Sequence, residues 1–146
     1  MPPLVANVLP DGSPEGELEV LASTVRAATN QSAVFTTRSK TILFMVRVTA
    51  AGTGTLTPTI QVRNPVDGTF QQYNATPATI GGTGTFLYAV GPGVSAFQWS
   101  AAGAGAVTTN VNQAVALPMP RRWRVNVAHS DASDWTYAVW AVVMGD

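Results

Sequence analysis

His129, Ser130 and Asp131 are the three residue types of a hydrolytic triad, and they stand consecutively near the end of this chain. A triad works by convergence: nucleophile, base and orienting acid arrive from separate parts of a fold. In an extended segment neighbouring side chains point to opposite faces, so three adjacent residues do not meet. The run reads as a polar turn between two final strands. Glu15, Glu17 and Glu19 alternate along one strand and place carboxylates on a common face, the raw material of glycoside hydrolysis. That face reads as solvated. Asp131 and Asp134 fall short of the six to eight oxygens that calcium takes. One histidine and no cysteine leave no zinc or transition-metal ligand set. Gly81-Gly82-Thr83-Gly84 lacks the Lys-Ser/Thr and the helix of a phosphate loop, and the only lysine is Lys40. The expectation is a protein that is not an enzyme, with no catalytic residue, cofactor or metal.

Arg121-Arg122-Trp123-Arg124 has the basic and aromatic make-up of a nucleic-acid patch. Alternation turns Trp123 inward with Val125 and Val127 and leaves Arg122 and Arg124 together on the opposite face. Eight basic residues balance eight acidic ones, so no cationic footprint remains to displace counterions, and nucleic acid is not an expected partner. These arginines suit pairing with acidic or carbonyl groups of another subunit. Trp99, Trp135, Tyr137 and Trp140 offer material for a sugar-stacking platform, which keeps a carbohydrate-binding module as an alternative, although large aromatics in strands more often pack in cores and interfaces. In the last strand Tyr137, Val139, Ala141 and Val143 share one face, and Ala138, Trp140, Val142 and Met144 the other. A strand apolar on both faces needs cover on both, and a second subunit can supply one of them.

The elements that hold these residues read as strands throughout. Glu17 to Ala22 alternates, Ala33 to Thr37 is short and β-prone, and Thr41 to Thr49 is the strongest signal. In that strand Ile42, Phe44, Val46 and Val48 face one way, with Leu43 and Met45 behind them. Thr57 to Arg63 and Phe70 to Tyr73 form a hairpin about Asn64-Pro65-Val66-Asp67-Gly68, where Pro65 presets φ and Asp67-Gly68 tolerates positive φ. Thr85 to Val90, Arg121 to Ala128 and Thr136 to Met144 follow. Residues 91–114 read as a long loop whose Phe97 and Trp99 anchor it to a surface. No segment holds a 3.6-residue period.

The expected fold is therefore all-β, an antiparallel β-sandwich or jelly-roll-like single domain over residues 17–146, preceded by an extended N-terminal arm over residues 1–16. Leu4, Val5, Val8 and Leu9 make that arm suited to reach a neighbouring subunit. The 146 residues are 46% hydrophobic, enough for one core, and only 11% charged, against roughly 25% in an average soluble protein. So few charges do little to keep copies apart, and assembly is expected. No secretory leader or membrane-spanning run is recognised, so synthesis in the cytoplasm and no membrane partner are expected.

Leu117 to Val139, containing Pro120, Trp123-Arg124-Val125, His129, Asp131-Ala132 and Thr136-Tyr137-Ala138-Val139, resembles a signature in small structural proteins of tailed bacteriophages. Thr57-Pro58-Thr59-Ile60-Gln61 followed by Asn64-Pro65-Val66-Asp67-Gly68-Thr69-Phe70 is similar to a second run of that family. With the Thr41 to Thr49 strand, the blocks cover roughly two-thirds of the chain. The resemblance implies a virion structural protein, foremost a capsid decoration or cement protein on the outer surface of the head, binding the major capsid protein and itself, as a homo-trimer. A tail or head–tail connector protein is the alternative it leaves. Contact residues expected on this reading are Leu4, Val5, Val8, Leu9, Phe97, Trp99, Arg121, Arg122, Arg124 and Trp140.

Overall fold

The structure, a computed structural model, describes residues 7–8, 14–74, 77–92, 94, 98–99 and 109–144. They form strands and connectors, with no helix. In chain order the strands are β1 (Asn7–Val8), β2 (Pro14–Arg26), β3 (Asn30–Gln31), β4 (Phe35–Thr36), β5 (Ile42–Ala50) and β6 (Leu56–Arg63). Then come β7 (Phe70–Gln72), β8 (Gly84–Val90), β9 (Gln98–Trp99), β10 (Thr109–Val115), β11 (Arg122–His129) and β12 (Trp135–Val143). One sheet runs β1-β2-β12-β5-β8-β10-β9, the other β3-β11-β6-β7 with β4 also paired to β11. Two packed sheets make this an all-β sandwich, as the alternation predicts.

Trp123 shows how the sequence closes the core. Alternation along β11 buries Trp123, Val125 and Val127 and turns Arg122 outward. The indole stacks on Phe35 at 5.0 Å and meets the edge of Phe44, from the opposite sheet, at 5.2 Å. Its N–H, which would be costly to bury alone, donates to Thr37 Oγ1 at 2.9 Å. Around it lie Ile42, Val46, Val48, Leu56, Ile60, Ile80, Tyr137 and Val139. On β2, register shifts against β12 around Val139 let the consecutive Val20 and Leu21 both enter the core.

Three local features follow from residue type. Pro58 lacks an amide hydrogen, and its carbonyl points to the side where β7, paired only with Gln61–Arg63, does not reach. Buried Asn74 fills that gap, its Oδ1 accepting the Ile60 N–H at 2.9 Å while its Nδ2 donates to Gln113 Oε1 at 3.0 Å. The Asn64–Thr69 turn forms as expected, with Gly68 at φ +78° and Asn64 Oδ1 accepting the Val66 N–H at 2.9 Å.

Residues 91–114 depart from the loop expected of them. Thr109–Val115 is a strand, and it pairs parallel to β8 (Ala114 beside Ala89, Val115 beside Val90), whereas every other named pair is antiparallel. Residues 91–108 supply the dozen or more residues that a parallel crossover needs. The alternation of Val111, Gln113 and Val115 carried the signal, masked by the Ala- and Gly-rich run before it. At the other end, β2 begins at Pro14, inside the expected arm, and Asn7–Val8 pairs antiparallel with Pro14–Glu15.

Candidate interaction surfaces

His129 does not meet Ser130 or Asp131. Its Nε2 shares a hydrogen bond of 2.9 Å with the Tyr137 hydroxyl, and its Nδ1 is buried without a partner. Arg26 also lies over Tyr137, its guanidinium 4.7 Å from the ring centre, with Nη1 donating to the Tyr137 carbonyl at 2.8 Å. Burial, then the Arg26 charge, lowers the His129 pKa from 6.5 against a smaller pull from Asp131. Burial pushes the Tyr137 hydroxyl up to about 12, so it stays neutral. The imidazole and the phenol thus satisfy one another inside the sandwich, and neither reaches Ser130 or Asp131.

Ser130 and Asp131 do structural work instead. The Thr55 N–H donates to Ser130 Oγ at 2.8 Å, and the Thr53 hydroxyl donates to Asp131 Oδ2 at 2.8 Å. Ser133 Oγ reaches the Thr53 carbonyl at 2.7 Å, which also accepts from Trp135 Nε1 at 3.3 Å. Hydrogen bonds from Ser133, then Thr53, hold the Asp131 carboxyl below its ordinary value. The connector after β5 and the connector after β11 are thus clasped together. Among the described residues, no three His, Cys, Asp or Glu side chains gather as metal ligands.

Two outer faces remain. On the five-stranded sheet, Arg122, Arg124 and Asn126 of β11 point outward beside Gln61 and Arg63 of β6. Arg124 lies over the Phe70 ring at 4.1 Å, with Nε donating to Gln61 Oε1 at 2.7 Å, while Arg121 and Arg122 are exposed. The five strands of this sheet carry no Asp or Glu. Among the described residues Arg121, Arg122 and Arg124 make no ion pair.

The outer face of the seven-stranded sheet is apolar. One cross-strand row runs Glu19, Trp140, Met45, Leu87, and the next Glu17, Val142, Leu43, Ala89, Ala114. Leu43, Leu87 and Ala89 are buried in a second cluster against which Met45, Val94, Ala114 and Val142 pack. So the sequence expectation that both sides of β5 and β12 are covered holds over β8. Over β12 the chain itself leaves the outer face part open, with Trp140 and Met144 37% and 40% exposed, the side that a second subunit was expected to cover.

Of the expected contact residues, Arg122, Arg124 and Trp140 are placed on these two faces, and Arg121 is exposed immediately before β11. For Val8 and Trp99 only the strand pairing is described, Val8 with Pro14 and Trp99 with Thr109. Leu4, Val5, Leu9 and Phe97 lie outside the described residues. A sugar platform from Trp135, Tyr137 and Trp140 is not assembled, because Trp135 and Tyr137 are core residues and Trp140 lies on the opposite face. Arg26, Arg47 and Asn74 were missed; each acts through partners distant in sequence, which spacing does not reveal. Comparison with family models, with curated proteins and with solved structures finds no match.

Proposed function

We propose that this chain is a bacteriophage virion structural protein that decorates the outer surface of the head and cements the shell. The reading rests on the resemblance of the Leu117 to Val139 block. The observation that carries it is the arginine-bearing outer face of the five-stranded sheet, whose strands carry no Asp or Glu. Arg121, Arg122 and Arg124 offer planar donor sets, which suit carboxylates and carbonyls of a major capsid protein. The action is mechanical. Sandwiches seated across neighbouring capsomers bury apolar surface, worth ~25 cal/mol per Å², that shell expansion must expose again. No cofactor or bond-making step enters. Purified protein sedimented with empty expanded heads should co-sediment at saturable stoichiometry. Retention by the tail fraction alone would transfer the function to the tail or the head–tail connector.

A further inference from the structure

The outer face of the seven-stranded sheet carries a self-complementary pattern, and its use rests on the assembly reading above. The β8 side of this face is already covered, since Leu43, Leu87 and Ala89 are buried with Val94 packed against them. The open part is three strands wide, β2, β12 and β5. Along β12 run Ala138, Trp140, Val142 and Met144. On one flank, β2 presents Glu17, Glu19 and the 59% exposed Val25; on the other, β5 presents Met45 and Arg47. Acid and base thus stand on opposite flanks of an apolar strip. Among the described residues neither Glu19 nor Arg47 makes an ion pair; Arg47 reaches only Thr85 Oγ1, at 3.5 Å.

We infer that this face packs on the same face of a second copy across a two-fold axis running along β12. That operation leaves β12 over β12 and exchanges β2 with β5. Trp140 then meets the partner's Trp140 near the axis, and Glu19 falls over the partner's Met45. Arg47 stands one outward-facing row from Met45, about 7 Å along the strand, so the arginine of each copy reaches the glutamate of the other. The pattern is isologous, because one surface supplies both halves and every contact away from the axis occurs twice. Charge placement selects a second copy over an unrelated apolar partner, which would leave Glu19 and Arg47 facing nothing.

Three strands at ~4.8 Å spacing over the Thr136 to Met144 span give about 400 Å² of sheet per copy, about 800 Å² in all. That lies at the weak end of specific interfaces, so the dimer forms reversibly and is reinforced where a shell holds copies close. A two-fold pair takes the place of the trimer implied by the resemblance.

Sedimentation velocity of the full chain, across roughly micromolar to several-hundred-micromolar concentrations, tests this. The expected result is a monomer–dimer equilibrium. Trp140→Glu should raise the dissociation constant at least tenfold with an unchanged circular dichroism spectrum, since the residue is exposed. Glu19→Arg and Arg47→Glu should each weaken pairing severalfold, and the double variant should recover most of the loss. A monomer at every concentration, a trimer mass, indifference to Trp140→Glu, or a double variant no tighter than the singles would overturn the inference. The two readings separate cleanly: head binding by a strict monomer removes only the dimer, and a dimer that ignores heads, with the same variant behaviour, removes only the decoration.

Discussion

His129 is held neutral by its surroundings, and this gives the fold a pH dependence of defined sign. Burial and the Arg26 guanidinium lower its pKa below 6.5, the value it regains on unfolding. Between the two values the unfolded chain binds a proton that the folded chain refuses, so stability is complete above 6.5 and declines as pH falls below it. Asp131 and Asp67, whose values are lowered from 3.8, lose their contributions only at more acid pH. The urea midpoint should therefore fall between pH 7.5 and 5.5 in the native chain and change little in His129→Gln. An unchanged native midpoint would show that His129 is protonated in the fold without penalty. Thr37 is a second test, because its hydroxyl is the partner of the Trp123 N–H. Thr37→Val keeps the shape and orphans a buried donor, so a loss of about 1–3 kcal/mol in denaturant titration is expected. The sequence placed Trp123 on the inward face correctly, but it read His129 as part of a polar turn, whereas His129 ends β11 against the core Tyr137. It gave no hint of Arg26 or Thr37, since both contacts span about a hundred residues and spacing encodes only neighbours.

At the scale of elements, the clasp between the two connectors depends on Gly54. It adopts φ +77°, and a Cβ there would come within 2.3 Å of Ser130 Oγ and 2.7 Å of Asp131 Oδ2. Gly54→Ala should therefore combine backbone strain with expulsion of the clasp, lowering stability by roughly 1–3 kcal/mol, readable as a fall in thermal midpoint. Asn74→Ala should cost a similar amount, since it leaves the Ile60 N–H without its acceptor inside the sandwich. Local grammar made much of this layer readable. The Asn64 to Gly68 turn, the two-faced strands β5 and β12 and the inward Trp123 follow from residue type and alternation. What escaped was β10, because parallel pairing with β8 is a long-range choice and its Val-Asn-Gln alternation is weak. The Asn74 plug escaped for the same reason: an asparagine in a turn-rich stretch looks like a loop residue until the strand edge it completes is known.

Across the whole molecule, a formal net charge of zero conceals a separation of charge. The strands of the five-stranded sheet carry Arg63, Arg122 and Arg124 with no acid, although Asp67 in the β6–β7 turn feels the Arg63 charge, whereas the other sheet carries Glu15, Glu17 and Glu19 on β2 together with Arg26 and Arg47. A balanced total supplies no net charge to draw polyanions from a distance, yet an arginine-bearing face can still recognise carboxylates at close range. Composition averages over faces, so this polarity became visible only when the strands were assigned to sheets. It also decides between attachment modes. If the arginine face seats on the head, occupancy should fall as salt rises, because exposed ion pairs are screened beyond about 8–10 Å at physiological ionic strength. Arg121→Glu combined with Arg122→Glu should lower head binding at least tenfold at low salt without loss of the β spectrum, both side chains being exposed. Quantified co-sedimentation at 50 and 300 mM salt checks both effects together. Binding that is indifferent to salt and to the double variant would mean that the arginines decorate the protein rather than the head.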